Sequence, residues 1–161
     1  MLSGFMLASC CGTPDQDLVL NESEYFERQG VNVLVYSNLY NGMFCDEKTA
    51  AIEIIQRGNR IATGGGIRLM NTPEQWDIYP VMESRTVSKK DNSIEVVLYY
   101  EAYDFRSRIK VKGKDKGVSM AVYLDKPVPD VLVGKAGMNI EFFPATYFGR
   151  SYLMDGSPDI F

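Results

Sequence analysis

Histidine is absent from the 161 residues. That absence excludes Ser-His-Asp and Cys-His nucleophilic sites within this chain, together with every metal site built on imidazole. Cysteine is scarce, with only Cys10, Cys11 and Cys45. Adjacent Cys10 and Cys11 lack C-x-x-C spacing, so neither a zinc site nor a thioredoxin-type site is indicated. Cys11 and Cys45 either pair in an oxidising compartment or remain apart, Cys11 in a tether and Cys45 as a buried thiol. Basic residues are outnumbered, 17 Lys and Arg against 21 Asp and Glu, for a net charge of −4. The chain therefore lacks the basic footprint of a nucleic-acid binder, and no nucleic-acid partner is expected. No segment keeps helical periodicity over three turns, and there is no internal repeat. Gly64, Gly65 and Gly66 are not followed by a helix or by Gly-Lys-Ser/Thr, so they do not form a phosphate cradle. No cofactor and no metal site is expected.

Alternation of period two is abundant. Hydrophobic residues make up 45% and charged residues 24%, a globular balance in a length that suits one domain. The central stretch, residues 50–70, alternates through Ile52 and Ile54, meets Arg57-Gly58-Asn59-Arg60, resumes at Ile61 and Thr63, and reaches the three glycines. It predicts strand, tight turn, strand, sharp bend at the glycines, and strand. Residues 31–37 predict a further strand. Residues 83–88, 94–100, 105–112 and 118–124 predict four more, three of which alternate cleanly as an antiparallel meander with one face on a core. Lys126-Pro127-Val128-Pro129 ends that sheet, because proline cannot donate to a ladder. Residues 139–143 are a last clear strand, before an aromatic stretch with Tyr147, Phe148 and Tyr152. The expected fold is all-β, a two-sheet antiparallel β-sandwich, Ig-like or related, with little or no helix.

The N-terminus carries a targeting pattern. Residues 1–9 are apolar, too short to span a bilayer, and end in small residues before Cys10. Leu7-Ala8-Ser9-Cys10 matches a lipoprotein lipobox, in which Cys10 becomes the lipidated N-terminus. No Lys or Arg precedes the run, so the true start is expected upstream of Met1. The expected division is a signal peptide over 1–10, a flexible tether over 11–24, a sandwich over 25–156, and over 157–161 the start of a linker to a further domain.

Several groups have chemistry worth placing. Arg106, Arg108, Lys110 and Lys112 form a basic stripe, read as a solvated strand face with acids opposite. Trp76 and Tyr79, with Asp77 between them, are the candidate carbohydrate contact: aromatic faces pack on the C–H face of a pyranose, though a lone Trp in a sandwich also suits a core. Glycoside hydrolysis needs two carboxylates roughly 5–5.5 Å or 6.5–9.5 Å apart, and sequence places no such pair. Glu53, Glu95 and Glu141 fall in the polar phase of strands, which predicts surface positions. Glu141 is followed by Phe142 and Phe143; if buried it needs a partner such as Arg150, and otherwise it is a sheet-face acid.

Three stretches together resemble a known family: Gly58-Asn59-Arg60-Ile61-Ala62-Thr63-Gly64-Gly65 with Arg68-Leu69; Asn71-Thr72-Pro73-Glu74-Gln75-Trp76; and Tyr123-Leu124-Asp125-Lys126-Pro127 through Gly134-Lys135-Ala136-Gly137-Met138-Asn139-Ile140-Glu141-Phe142-Phe143-Pro144. They resemble the N-terminal β-sandwich region of secreted glycoside hydrolases related to family 9, of the sort found in Bacteroidetes, over about residues 25–156. The resemblance implies that the chemistry belongs to a separate downstream (α/α) barrel, where an acid and a base hydrolyse β-1,4-glucan links with inversion. That family's Asp-Ala-Gly-Asp motif is absent here, Met154-Asp155-Gly156 not matching it, so no catalytic residue carries over. The implied role is a non-catalytic module bracing the barrel, on a protein lipid-anchored outside the cytoplasm at the bacterial outer membrane. Its implied partners are the downstream domain, through Tyr147, Phe148, Tyr152 and Leu153, a polysaccharide, and the membrane through the lipid alone. The rival expectation is a free-standing carbohydrate-binding or adhesive surface lipoprotein.

Overall fold

A computed structural model describes residues 17–37, 51–69, 78 and 80–161 of the chain. The first strands are short: β1 (Val19–Leu20), β2 (Phe26–Arg28), β3 (Val31–Val35), β4 (Ile52–Gln56) and the long β5 (Asn59–Leu69). A meander follows, β6 (Val81–Ser88), β7 (Ser93–Tyr100), β8 (Phe105–Lys114) and β9 (Gly117–Tyr123). The chain then returns to the first sheet as β10 (Ala136–Phe142) and ends in a hairpin, β11 (Ser151–Met154) and β12 (Ser157–Ile160). Pairing is antiparallel throughout, in the orders β1-β2-β3-β4-β5-β10 and β6-β7-β8-β9, with β11-β12 separate. The fold is all-β, two packed antiparallel sheets. Its helical content among the described residues is two 3₁₀ turns, at Glu101–Tyr103 and Asp130–Leu132, and one α-turn at Pro144–Tyr147.

Alternation explains the meander. Ile94, Val96, Leu98 and Tyr100 on β7 face Val111, Ile109, Ser107 and Phe105 on β8, and all eight are buried. Phe26, Val33, Val35, Ile52 and Leu69 from the first sheet join the same cluster. Burying each large side chain is worth about 1.5–3 kcal/mol, so this shared apolar layer outweighs any single polar contact in holding the sheets together.

Polar clamps then fix how the sheets meet. Arg85 on β6 donates from Nε to the Val35 carbonyl at 2.9 Å and from Nη2 to the Glu24 carbonyl at 2.8 Å. Its Nη1 meets the Glu24 carboxylate at 2.6 Å. One planar fork thereby ties the second sheet to the end of β3 and the turn before β2. Asn92 works similarly at the opposite edge: its Oδ1 accepts from the Leu20 N–H and its Nδ2 donates to the Leu18 carbonyl, both at 2.9 Å.

Three boundaries differ from expectation. The ordered fold starts before Tyr25, because Leu18 is fully buried in the core and β1 is held by Asn92. The polar sequence around Leu18 disguises this anchor as tether. Residues 157–160 are strand β12 rather than linker. The three glycines do not end a strand: β5 continues past them, pairing with β10 on one side and β4 on the other, but its register slips against both neighbours at Gly64, whose φ is 62°. A Cβ at Gly65 would lie 2.6 Å from the Ile52 Cβ, and one at Gly66 would lie 2.4 Å from the Tyr36 hydroxyl. Glycine is therefore demanded there by close packing. The turn into β5 is as expected: Arg57 and Gly58 both have positive φ, a two-residue hairpin loop.

Replacing Arg85 leaves two carbonyls and a carboxylate without their shared donor. Arg85→Ala is expected to lower the unfolding free energy in denaturant titrations by about 2–4 kcal/mol. Lys89→Ala removes an exposed, solvent-screened pair with Glu22 and is expected to leave stability nearly unchanged. Equal effects for the two variants would contradict the clamp.

Candidate functional site

A polar constellation that combines a buried carboxylate with a concavity lies around the glycines of β5. Glu53 on β4 is only 5% exposed, against the surface position its alternation predicts. The register of β4 against β5 shifts on both sides of Ile54, so that Ile52 and Glu53 are both enclosed. Leu34, the cross-strand partner of Glu53, belongs to a small buried cluster with Tyr25 and Ile55. Thr63 Oγ1 donates to Glu53 Oε1 at 2.6 Å, and the Gly64 N–H also donates to this carboxylate. Arg60 Nε lies 3.1 Å from Oε2, an ion contact without an aligned hydrogen bond. Burial raises the Glu53 pKa above the ordinary value, partly offset by the bonds from Thr63 and Gly64.

Glu141 approaches Gly64 from β10, its carboxylate carbon 3.6 Å from where a Gly64 Cβ would stand. It is about half exposed and pairs with Arg68, not with Arg150. Both bonds it accepts, from Arg68 Nη1 and from Asn139 Nδ2, fall on Oε1. Tyr36 completes the group. Its φ of 47° is in the left-handed region, where a bulky residue is strained. Its ring lies over Gly66, and burial pushes the phenol up to about 12, so it stays protonated at neutral pH. Tyr36, Thr63, the three glycines, Arg68 and Glu141 surround a concavity of about 260 Å³, with Ile78 and Pro80 as apolar walls.

The second feature is the C-terminal face. Tyr147 and Tyr152 are half-buried, their rings 5.2 and 4.6 Å from that of Phe161. Tyr147 also meets Phe142 edge-on at 5.2 Å. Phe148 is 84% exposed and Leu153 72%, with Met154 at 64% and Ile160 at 68% on the same hairpin. Asp155 and Gly156 both have positive φ and form its two-residue turn.

The basic stripe meets acids as expected. Arg106 pairs with Glu83 on β6 at 2.9 Å, while Arg108 and Lys110 approach Glu95 on β7 at 3.6 and 3.8 Å. Arg106 also stacks on Tyr99 and Arg108 on Tyr123. Such exposed pairs make a solvated face rather than an anion site.

Trp76 and Tyr79, the expected carbohydrate contact, lie outside the described residues, as do Cys10, Cys11 and Cys45. Among the described residues no three Asp, Glu or Cys side chains converge to hold a metal ion, and no helix is long and apolar enough to cross a membrane. Tyr36, Arg60 and Arg68 carry the constellation without having been singled out by sequence reasoning. Only the glycine triplet signalled close backbone approach there. No family model, curated protein or solved structure matches the chain.

Because the folded pKa of Glu53 lies above 4.5, the fold holds this proton to higher pH than the unfolded chain does. Its contribution to stability therefore falls as pH rises from near 4.5 through the folded value. Glu53→Gln removes the titration and keeps an acceptor for Thr63 and Gly64. The stability of the natural chain relative to Glu53→Gln is expected to decline as pH rises above 4.5 in denaturant titrations. A difference independent of pH would mean that Glu53 ionises in the fold as it does in water.

Proposed function

We propose that the chain is a non-catalytic β-sandwich module of a secreted, lipid-anchored glycoside hydrolase acting on β-glucan-type polysaccharide, and that it braces a catalytic domain of the same polypeptide. The observation that carries this reading is the C-terminal face. Phe148, Leu153, Met154 and Ile160 stand in solvent around a partly buried ring cluster, Leu153 and Ile160 on one side of the ribbon and Met154 on the other, and exposed apolar side chains gathered on one small element mark a candidate interaction site. The β11-β12 ribbon pairs with neither main sheet and presents that face outward. Supporting it, the most enclosed carboxylate among the described residues, Glu53, is committed to Thr63, Gly64 and Arg60, an arrangement suited to holding β4 and β5 rather than to proton transfer with a substrate. The sequence resemblance to the N-terminal sandwich of family 9-related hydrolases supplies the identity of the domain that would cover the face.

The test is the intact mass of the native polypeptide from a membrane extract of the source cells. A mass several times the 18.1 kDa of this chain, with peptides beyond Phe161 that carry an acid and base pair, is expected. A mass near 18 kDa, adjusted for signal removal and lipid, would overturn the bracing role and leave a free-standing glycan-binding or adhesive lipoprotein.

A further inference from the structure

The concavity beside the glycines is lined by a phenol hydroxyl and a carboxylate oxygen that make no hydrogen bond among the described residues and are open to its space. Tyr36 is 8% exposed, and among the described residues its hydroxyl makes no hydrogen bond. The hydroxyl lies over Gly66, at the wall of the concavity. Across the glycines, Glu141 takes both its hydrogen bonds on Oε1, so that Oε2 accepts none among the described residues. One donor and one acceptor therefore face the same space.

The rest of the lining narrows the occupant. Arg68 and Glu141 neutralise each other at the rim, and an anionic ligand would have to part them. A purely apolar ligand would leave the phenol and the carboxylate oxygen unmet. A hydroxyl group both donates and accepts, so neighbouring hydroxyls on one ring satisfy Tyr36 and Glu141 together. The bare glycine backbone, Ile78 and Pro80 offer apolar surface to the C–H face of such a ring. The volume of about 260 Å³ falls below the roughly 300–1,000 Å³ of sites for drug-sized ligands, which limits the occupant to a single ring.

We propose that this concavity is a binding subsite for one ring of a neutral sugar, held by the Tyr36 hydroxyl as donor and Glu141 Oε2 as acceptor over the glycine floor. The site is separate from the C-terminal face, and its occupancy does not depend on the bracing role.

The test is a titration of the isotope-labelled 161-residue chain with methyl glycosides of glucose, galactose, mannose and xylose, followed by amide chemical shifts. At least one glycoside is expected to shift the Gly64, Gly65, Gly66 and Glu141 amides saturably, with a dissociation constant in the millimolar range. Tyr36→Phe and Glu141→Met are each expected to weaken it about tenfold. The Tyr36→Phe chain is expected to keep the stability of the natural one, because the hydroxyl makes no bond within the described fold. No shift at these amides with any glycoside up to about 50 mM would overturn the proposal. Shifts there with inorganic phosphate alone would do the same, as would unchanged affinity in Tyr36→Phe. A destabilised Tyr36→Phe chain would place the hydroxyl in a bond within the fold and would also overturn it.

Discussion

The close approach of backbone and side chain at Gly65 and Gly66 sets the geometry of the first sheet. β5 is the only strand among those described that pairs with both β4 and β10, so it joins the early part of the chain to its return after the meander. It can do so only if Ile52 packs onto Gly65 and Tyr36 onto Gly66, distances that no Cβ could share. The same absence of side chains opens the concavity between Arg68, Glu141 and Tyr36. Packing requirement and candidate ligand surface thus have a single physical origin. The bonds from Thr63 and Gly64 to the buried Glu53 carboxylate then pin β4 against β5 where their register slips.

How much of this was legible in the sequence follows from the range of each signal. The meander was plain, because alternation is local and Ile94, Val96, Leu98 and Tyr100 declare their face without reference to anything distant. Leu18 was hidden, since the short run Leu18-Val19-Leu20 in a polar stretch is too brief to declare a face, and its anchoring depends on Asn92, more than seventy positions away in sequence. Glu53 was misplaced because a register shift moves a residue from the polar phase to the interior while leaving the pattern of letters unchanged. The pairing of Glu141 with Arg68 rather than Arg150 is likewise a property of the β5-β10 register. Asp155-Gly156 is a hairpin signature, yet residues 157–161 were expected as a linker rather than as the second strand of the β11-β12 ribbon.

The two surfaces differ in kind. The concavity is polar, neutral and small, and its phenol and carboxylate suit hydroxyls. The C-terminal face is apolar and open on both sides of a two-stranded ribbon, a structure marginal by itself in water and expected to gain from being covered. In the proposed module the first would touch glycan and the second would touch protein, so that one small sandwich would hold a catalytic domain in place and lend it a contact on the substrate.

Peroxide oxidation of the methionines tests the docking of the C-terminal face most directly. Met154 on β11 and Met82 on β6 are both exposed in the 161-residue chain, at 64% and 47%. Both should oxidise readily there, as accessible thioethers do. In the native polypeptide from the source cells, Met154 is expected to oxidise about tenfold more slowly while Met82 keeps its rate, the tenfold corresponding to about 1.4 kcal/mol of protection. Equal rates for Met154 in the isolated chain and the native polypeptide would contradict the docking.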